Sequence, residues 1–367
     1  MLRAKARKNM WKSASLAFNF MYKQSTFFAL LLILGVAACN TDRSEKCAVI
    51  PDTKDIKIDL QWESLEDQLP AITTREQLVE FLTRYPHIRD VFMSRGDYPS
   101  DSVFINDRFK KFTNPHIDTL LMEAHRVFPD NAAKLKEEFR QAFANFKSYY
   151  PDFKPPKIQT IVTGFERDVY VTDSLIVIGL DYYLGPGAKY EILNLYDYMK
   201  RRYQPGFIVP SVMLLYGIDD RYNANDPQDR TMLAEMIGYG KAYYFAKRMV
   251  PCTPDSVLIG YTSEEMNGSR ANESLIWSRL IEDQVLFSTS NQDKQKYIID
   301  RPKTLEVGEK CPGRIGQWVG WRMVEQYSET HRDVTLPQIM RMSDAAKLFN
   351  ESGYKPQIQQ VPARKKV

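Results

Sequence analysis

The chain has 367 residues, 44% of them hydrophobic and 12% aromatic, with 21 tyrosines, a composition that excludes a disordered secreted polymer. Its formal charge of +4 depends on the first 38 residues, which carry six of the 50 Lys and Arg residues and no acidic residue. The rest of the chain holds 44 basic against 46 acidic side chains, a net charge of −2. No nucleic-acid partner is therefore expected, since such binding requires a basic patch on the folded domain.

The N-terminal segment predicts a lipid anchor at Cys39. An apolar run begins at Thr26 and closes with Ala-Ala directly before that cysteine, which resembles the lipobox of bacterial lipoproteins. The run is shorter than the roughly 20 apolar residues that span a bilayer, and its small-residue end fits a signal peptidase site. We expect residues 1–38 to be a lipoprotein signal peptide and Cys39 to carry acyl chains that bind a membrane. The leader is long, so Met10 and Met21 remain alternative translation starts.

Three segments follow the signal peptide. Residues 39–56 are polar and show no helical or strand period, which predicts a flexible tether. Residues 57–356 are expected to form a single α+β domain. The tail, residues 357–367, is polar and ends in basic side chains, which predicts disorder.

The remaining cysteines predict one disulfide. An exported chain permits disulfides, and three cysteines follow Cys39. We expect Cys252 to pair with Cys311, because Cys47 lies in the predicted tether. Sequence alone does not determine connectivity, and three unpaired thiols remain the alternative.

The first half of the domain is predicted to be helical after one short strand. Alternating apolar and polar residues in Ile56–Leu60 indicate the strand. Thr73 and Glu76 have the spacing of a capping box, which predicts a helix start there. Asn114 ahead of a proline is typical of a second helix start.

The middle of the chain predicts a small sheet, with helices again on its far side. Residues that favour strands dominate 157–163, 169–171 and 175–180. Later helices are expected at 192–203, 228–249, 263–287, 313–330, 336–342 and 343–351. Because the strands lie between helical blocks and do not alternate with helices, the sequence predicts an α+β fold, mainly helical with a small central sheet.

Groups that could perform catalysis are few. No two of the four histidines lie four residues apart, so no helix presents an HExxH-type zinc pair, and no metal or other cofactor is expected. Asp181 follows a predicted strand and Glu235 lies in a predicted helix, and a carboxylate-dependent hydrolase would use such residues. The Asp-rich segment 219–229 carries oxygen donors for Ca²⁺, but it lacks the glycine and final glutamate of an EF-hand loop. A solvated loop that ends in a helix cap is the alternative.

The segment 311–324 combines glycines with two tryptophans. Gly313, Gly316 and Gly320 are three and four residues apart, so one face of the predicted helix is nearly free of side chains and a neighbouring helix is expected to pack there. A core helix with buried indoles is one interpretation. The other is an interaction cleft, for which the candidate residues are Asp181, Tyr182, Arg314, Gln317, Trp318 and Trp321.

Five stretches of the domain carry a family resemblance. They are 156–164 (PKIQTIVTG), 178–185 (IGLDYYLG), 202–210 (RYQPGFIVP), 253–262 (TPDSVLIGYT) and 312–321 (PGRIGQWVGW). In content and order they resemble the GldB-type gliding-motility lipoproteins of Bacteroidota. The resemblance implies a cell-envelope lipoprotein required for gliding, in organisms where gliding is tied to type IX secretion.

The same resemblance implies an architecture without metal chemistry. The family is distantly similar to zincin-like metallopeptidases, whose metal helix would fall in Met232–Phe245 of this chain. That segment contains no histidine, although neutral imidazole is the ligand that such sites use for zinc. The resemblance therefore implies a zincin-like scaffold that lacks the metal site.

Three functions remain as hypotheses. The first is a non-enzymatic interaction or assembly component that contacts envelope proteins of the motility or secretion machinery. The second is a hydrolase that uses carboxylates such as Asp181 or Glu235. The third is a glycan- or peptide-binding lipoprotein that relies on Trp318 and Trp321. Asn40, which is not the aspartate that retains lipoproteins in the inner membrane of enterobacteria, favours the outer membrane. We expect the domain to face the periplasm, which the sequence does not determine.

Overall fold

The computed structural model describes residues 47–193 and 195–358. These residues form a four-stranded sheet among helices, with the strand order β1-β2-β4-β3. The strands are β1 Trp62–Ser64, β2 Lys157–Ile161, β3 Val169–Val171 and β4 Leu175–Gly179. β1, β2 and β4 are parallel, whereas β3 is antiparallel to β4. The fold is α+β, mainly helical with a small sheet, which confirms the predicted class.

The two inner strands are buried on both faces. In β4 the adjacent side chains of Ile176 and Val177 have no solvent exposure, and the same is true of Thr160 and Ile161 in β2. Because adjacent side chains of a strand point to opposite faces, both faces are covered. Parallel strands covered in this way have nearly continuous apolar sequences, which is the pattern of β4. The three strands predicted in the middle of the chain are confirmed, with β2 and β4 ending slightly earlier than expected.

The first strand lies later than predicted. Residues 56–60 do alternate between half-buried and exposed side chains, and Ile58 and Leu60 pack against the core. The backbone pairing with β2 starts only where the amide of Ile158 donates to the carbonyl of Gln61, 2.8 Å away. The alternating pattern therefore predicts which side chains of this segment are half-buried, but it does not predict where the backbone pairing with β2 begins.

Helices make up most of the domain. In chain order they are α1 Arg75–Arg84, α2 Asp101–Phe112, α3 Pro115–Val127, α4 Pro129–Tyr149, α5 Asp197–Lys200, α6 Ile208–Ile218, α7 Met232–Met249, α8 Asp255–Ile259, α9 Ser263–Ala271, α10 Glu273–Glu282, α11 Asn291–Tyr297, α12 Ile315–Thr330, α13 Leu336–Met340 and α14 Ala345–Ser352. Short 3₁₀ segments include Leu180–Tyr183 directly after β4.

Two helix starts test the capping predictions. At α3 the side chain of Asn114 accepts the amide of His116 at 2.9 Å, as expected. At α1 the capping box is one residue later than predicted, because Thr74 exchanges hydrogen bonds with Gln77. The predicted type of cap is thus correct and its register is wrong.

Two helical predictions need correction, and one helix was not predicted. Of the expected helix 192–203 only α5 forms. The expected helix 263–287 is divided at Asn272, whose φ of −111° is not helical. α6 has a nearly continuous apolar sequence without an amphipathic period, so its pattern does not predict a helix.

The disulfide joins Cys47 to Cys252, so the expected pairing of Cys252 with Cys311 is wrong. Cys311 is a buried free thiol. The prediction failed because Cys47 was assigned to the tether. The chain is already bound to the domain at that point, since the amide of Ala48 donates to the carbonyl of Pro251 at 2.9 Å. The compact unit begins at Cys47, so residues 47–56, which the sequence predicts as part of the tether, belong to the domain.

Candidate functional site

A pocket of about 300 Å³ lies beyond the carboxyl ends of the parallel strands β2 and β4. In open sheets of this kind, ligands bind in the crevice outside the strand ends. The loop after β2 and the turn after β4 supply its first wall, and the segment 184–204 supplies the rest. We call it the strand-end pocket, and its main side chains are those of Phe165, Asp181, Tyr182, Tyr190, Tyr203 and Gln204.

Asp181 forms the buried base of this pocket. Its side chain is 1% exposed, and Oδ2 accepts the amides of Thr163 at 3.1 Å and Phe165 at 2.7 Å. Burial raises the pKa of the carboxyl, and the backbone hydrogen bonds partly oppose that rise. Gly164 and Phe165 both have positive φ, 77° and 63°. Asp181 thus stabilises a left-handed turn that few residues adopt.

Aromatic rings form the walls. The hydroxyl of Tyr182 donates to the carbonyl of Phe165 at 2.9 Å, and the centroids of those two rings are 5.7 Å apart. Tyr203 packs on Tyr182 at 5.4 Å and donates its hydroxyl to Asp168 at 3.0 Å. Burial raises the pKa of Tyr182 to about 12, so its hydroxyl is neutral and remains a donor at physiological pH.

Most charged side chains at the rim form ion pairs, and the exposed carboxylate of Asp197 is the exception among the described residues. Lys200 contacts Glu191 at 3.1 Å, and Arg201 contacts Glu265 at 2.7 Å. Gln204 donates to the carbonyl of Arg201 at 2.8 Å. What the pocket offers to a ligand is therefore mainly aromatic surface.

Beside the rim, two large apolar side chains are exposed. Leu193 is 83% exposed and Tyr196 is 73% exposed, whereas the neighbouring Ile192 lines the wall of the pocket. The ring of Tyr196 stacks on that of Tyr198, with centroids 5.9 Å apart. Single exposed apolar residues are common on protein surfaces, but a group of them at the edge of a pocket is typical of an interaction site.

The four candidates on α12 do not line the strand-end pocket, so the cleft predicted from them together with Asp181 and Tyr182 is wrong. Trp318 and Trp321 are 1% and 2% exposed. Trp321 stacks on Tyr243, and Gln317 donates to the carbonyl of Ile298 at 2.7 Å.

Arg314 is also part of the interior. It is 9% exposed, donates to the carbonyl of Ile259 and lies 3.4 Å from Asp300. The segment 314–321 is therefore a core helix with buried indoles, which was the other interpretation of its sequence. Burial of both indoles also removes the basis for a glycan- or peptide-binding site on Trp318 and Trp321.

The sequence model of the family described as gliding motility protein GldB matches residues 46–356 of this chain. The chain belongs to the GldB family. No curated protein and no solved structure matches it. The implied similarity to zincin-like peptidases therefore stays a prediction.

Membership in the GldB family associates this chain with gliding motility and with lipoproteins. None of the helices between residues 47 and 358 that the structure describes is long and apolar enough to cross a membrane. Membership in a lipoprotein family fits a lipid-anchored envelope protein. The predicted signal peptide and the lipidation site Cys39 lie outside the described residues.

The two carboxylates considered for a hydrolase line different pockets in this GldB chain. Asp181 belongs to the strand-end pocket, whereas Glu235 lines a second pocket and pairs with Lys294 at 2.6 Å. In the described part of the chain, no three His, Cys, Asp or Glu side chains are grouped so that they could hold a metal ion.

Sequence reasoning identified Asp181 and Tyr182 but missed the rest of the strand-end pocket. Phe165, Tyr203 and the exposed side chains of Leu193 and Tyr196 were not candidates. One signal could have found them, because six of the 21 tyrosines lie between residues 182 and 203. Such a density of amphipathic aromatic side chains is typical of binding surfaces.

Proposed function

We propose that this chain is a non-enzymatic component of the gliding-motility machinery that binds a protein partner at the strand-end pocket. The observation that carries the proposal is the pair of exposed apolar side chains, Leu193 and Tyr196, beside an aromatic pocket. Interface centres are enriched in Tyr and other aromatic residues, and tyrosines are the most frequent residues of this surface.

The position of Asp181 supports a binding role over a catalytic one. A general acid or base must reach the proton that it transfers. Both carboxylate oxygens of Asp181 are buried, and Oδ2 is occupied by two backbone amides. The residue is therefore suited to shape the loop after β2, and the loop in turn positions Phe165 and Tyr182 for a partner.

The membrane anchor completes the proposal. Acyl chains on Cys39 would hold the domain on the outer membrane, facing the periplasm, and Asn40 supports that location. A short tether before Cys47 would keep the domain close to the bilayer, where envelope proteins of the motility or type IX secretion machinery could contact it. A contribution to type IX secretion is part of the same proposal.

A pair of charge substitutions tests the binding surface in the native host. Leu193→Asp together with Tyr196→Asp should abolish gliding and crosslinking to a partner, because a charge on each side chain opposes apolar contact. Leu305→Asp is the matched control, since Leu305 is 61% exposed and does not line the strand-end pocket. Normal gliding by the double variant, at a normal protein level, would contradict the proposal.

Asp181→Asn distinguishes binding from catalysis. The asparagine oxygen can still accept the two amides, so the loop and the partner contacts should persist and gliding should be retained. A hydrolase that depends on this carboxylate would lose its activity and the phenotype with it. Asp181→Ala removes the acceptor and serves as the structural control, with thermal unfolding as the readout.

A further inference from the structure

A second pocket, of about 300 Å³, lies between α7, the loop that precedes it and the start of α14. Its lining includes four carboxylates and one ammonium group, that of Lys241. We call it the acidic pocket, and its carboxylates are those of Asp220, Asp226, Asp229 and Glu235. This pocket shares no lining residue with the strand-end pocket.

Most of these carboxylates are not neutralised by a neighbouring cation. Oδ1 of Asp226 accepts the amide of Gln228 at 2.9 Å, and Oδ1 of Asp229 accepts the amide and hydroxyl of Thr231. These partners are neutral. Of these four carboxylates, only that of Glu235 forms an ion pair within the described part of the chain, and its partner is Lys294. The mouth of the pocket therefore carries a negative field.

The base of the pocket contains a buried polar atom without a partner. Asn223 is 2% exposed, and its Nδ2 donates to the carbonyls of Gly217 at 2.8 Å and Gly238 at 2.9 Å. Because both partners are acceptors, the orientation of the amide is fixed, and Oδ1 is the atom left without a hydrogen bond. A buried acceptor of this kind is costly unless a donor reaches it.

Apolar side chains complete the lining. Ile218, which is exposed, and the half-buried Tyr239 provide a surface that an aliphatic chain can cover. Lys241 does not compete for the pocket centre, because its Nζ donates to the carbonyl of Met342 at 2.8 Å and to that of Ala224. Carboxylates at the mouth, an acceptor at the base and apolar walls together match a cationic donor group on an aliphatic stem.

We propose that the acidic pocket binds an arginine or lysine side chain presented by a basic segment of a partner protein. The guanidinium or ammonium group would lie among Asp220, Asp226 and Asp229, and one N–H would reach Oδ1 of Asn223. The stem would contact Ile218 and Tyr239. This site is separate from the strand-end pocket, so binding at one pocket does not depend on binding at the other.

Calorimetric titration of the detergent-solubilised full chain tests the proposal. The probes are the peptide Ala-Arg-Ala, the peptide Ala-Glu-Ala and agmatine, which carries a guanidinium group without a peptide. Saturable binding of Ala-Arg-Ala that weakens with added salt is expected, and no binding of Ala-Glu-Ala. No saturable binding of the arginine peptide would overturn the proposal, whether or not agmatine binds.

Variants assign the binding to the pocket. Asp220→Asn with Asp226→Asn should raise the Kd of Ala-Arg-Ala by about tenfold, since each exposed ion pair contributes up to about 1 kcal/mol. Glu329→Gln with Asp333→Asn is the control, because these exposed carboxylates lie outside the pocket and the net charge change is the same. An equal rise of Kd in both pairs would reveal a general charge effect and overturn the site.

A substitution that fills the pocket distinguishes binding inside the pocket from attraction by its negative charge. Ala234→Leu places a larger side chain in the lining near the start of α7 and leaves every carboxylate in place. Loss of Ala-Arg-Ala binding, with an unchanged melting temperature, is expected. Unchanged binding would show that the peptide attaches outside the pocket, which contradicts the proposal.

Discussion

Gly240 of α7 and Gly320 of α12 bring the backbones of the two helices into direct contact. A Cβ atom on Gly240 would overlap the carbonyl oxygen of Gly320, and one on Gly320 would overlap that of Met236. α7 also packs against α6, so it is the central helix of the domain. The close approach of α7 and α12 buries Tyr243 and Trp321 as a stacked pair beside the crossing.

Gly320→Ala is expected to destabilise the domain by about 2–3 kcal/mol, because an added methyl group forces a packed crossing apart. Equilibrium unfolding in urea measures the change. Gly268→Ala in α9 is the matched control, since nothing lies within 4 Å of a Cβ at that position. There the better helix propensity of alanine should stabilise by up to about 1 kcal/mol. Equal effects of both substitutions would contradict the helix contact.

Local signals allowed much of this fold to be predicted. The face of α12 that carries Gly316 and Gly320 was recognised from its spacing, and it does pack against neighbouring backbone. The cap at Asn114 was equally local. The burial of Trp318 could not be decided in the same way, because an indole beside a glycine face fits a core and a cleft equally well.

The candidate site was harder to predict because its contacts are long-range. Asp181 was noticed for its place after a strand, but its role depends on the amides of Thr163 and Phe165, 18 and 16 residues away. No periodicity reveals such bonds. The pairing of Cys47 with Cys252 spans 205 residues, and polar composition alone had placed the first of these in a tether.

Cys47→Ser with Cys252→Ser is expected to destabilise the domain by about 2–4 kcal/mol, because the disulfide restricts the unfolded chain. Urea unfolding with and without reductant measures this effect. Cys311→Ser is the control and should leave the reductant dependence unchanged, since Cys311 is a free thiol. Peptide mapping without reduction should recover Cys47 linked to Cys252, and recovery of a Cys252–Cys311 link would contradict the structure.

Glu66 predicts a measurable pH dependence of stability. Its side chain is 5% exposed, and burial raises the pKa of its carboxyl from 4.5 to about 7. Oε1 accepts the hydroxyl of Thr160 at 2.8 Å, whereas Oε2 has no partner among the described residues. The folded state therefore retains this proton over a range in which the unfolded state has lost it.

Because the folded state binds more protons than the unfolded state between pH 4.5 and about 7, the free energy of unfolding should fall as pH rises through that range. The full contribution is about 3 kcal/mol, and it is lost above pH 7. Glu66→Gln should remove this part of the pH dependence, as measured by urea unfolding at pH 4.5 and pH 8. Thr160→Val removes the hydroxyl that favours the charged form and should extend the fall to higher pH. Identical pH profiles for wild type and Glu66→Gln would show that Glu66 ionises alike in both states.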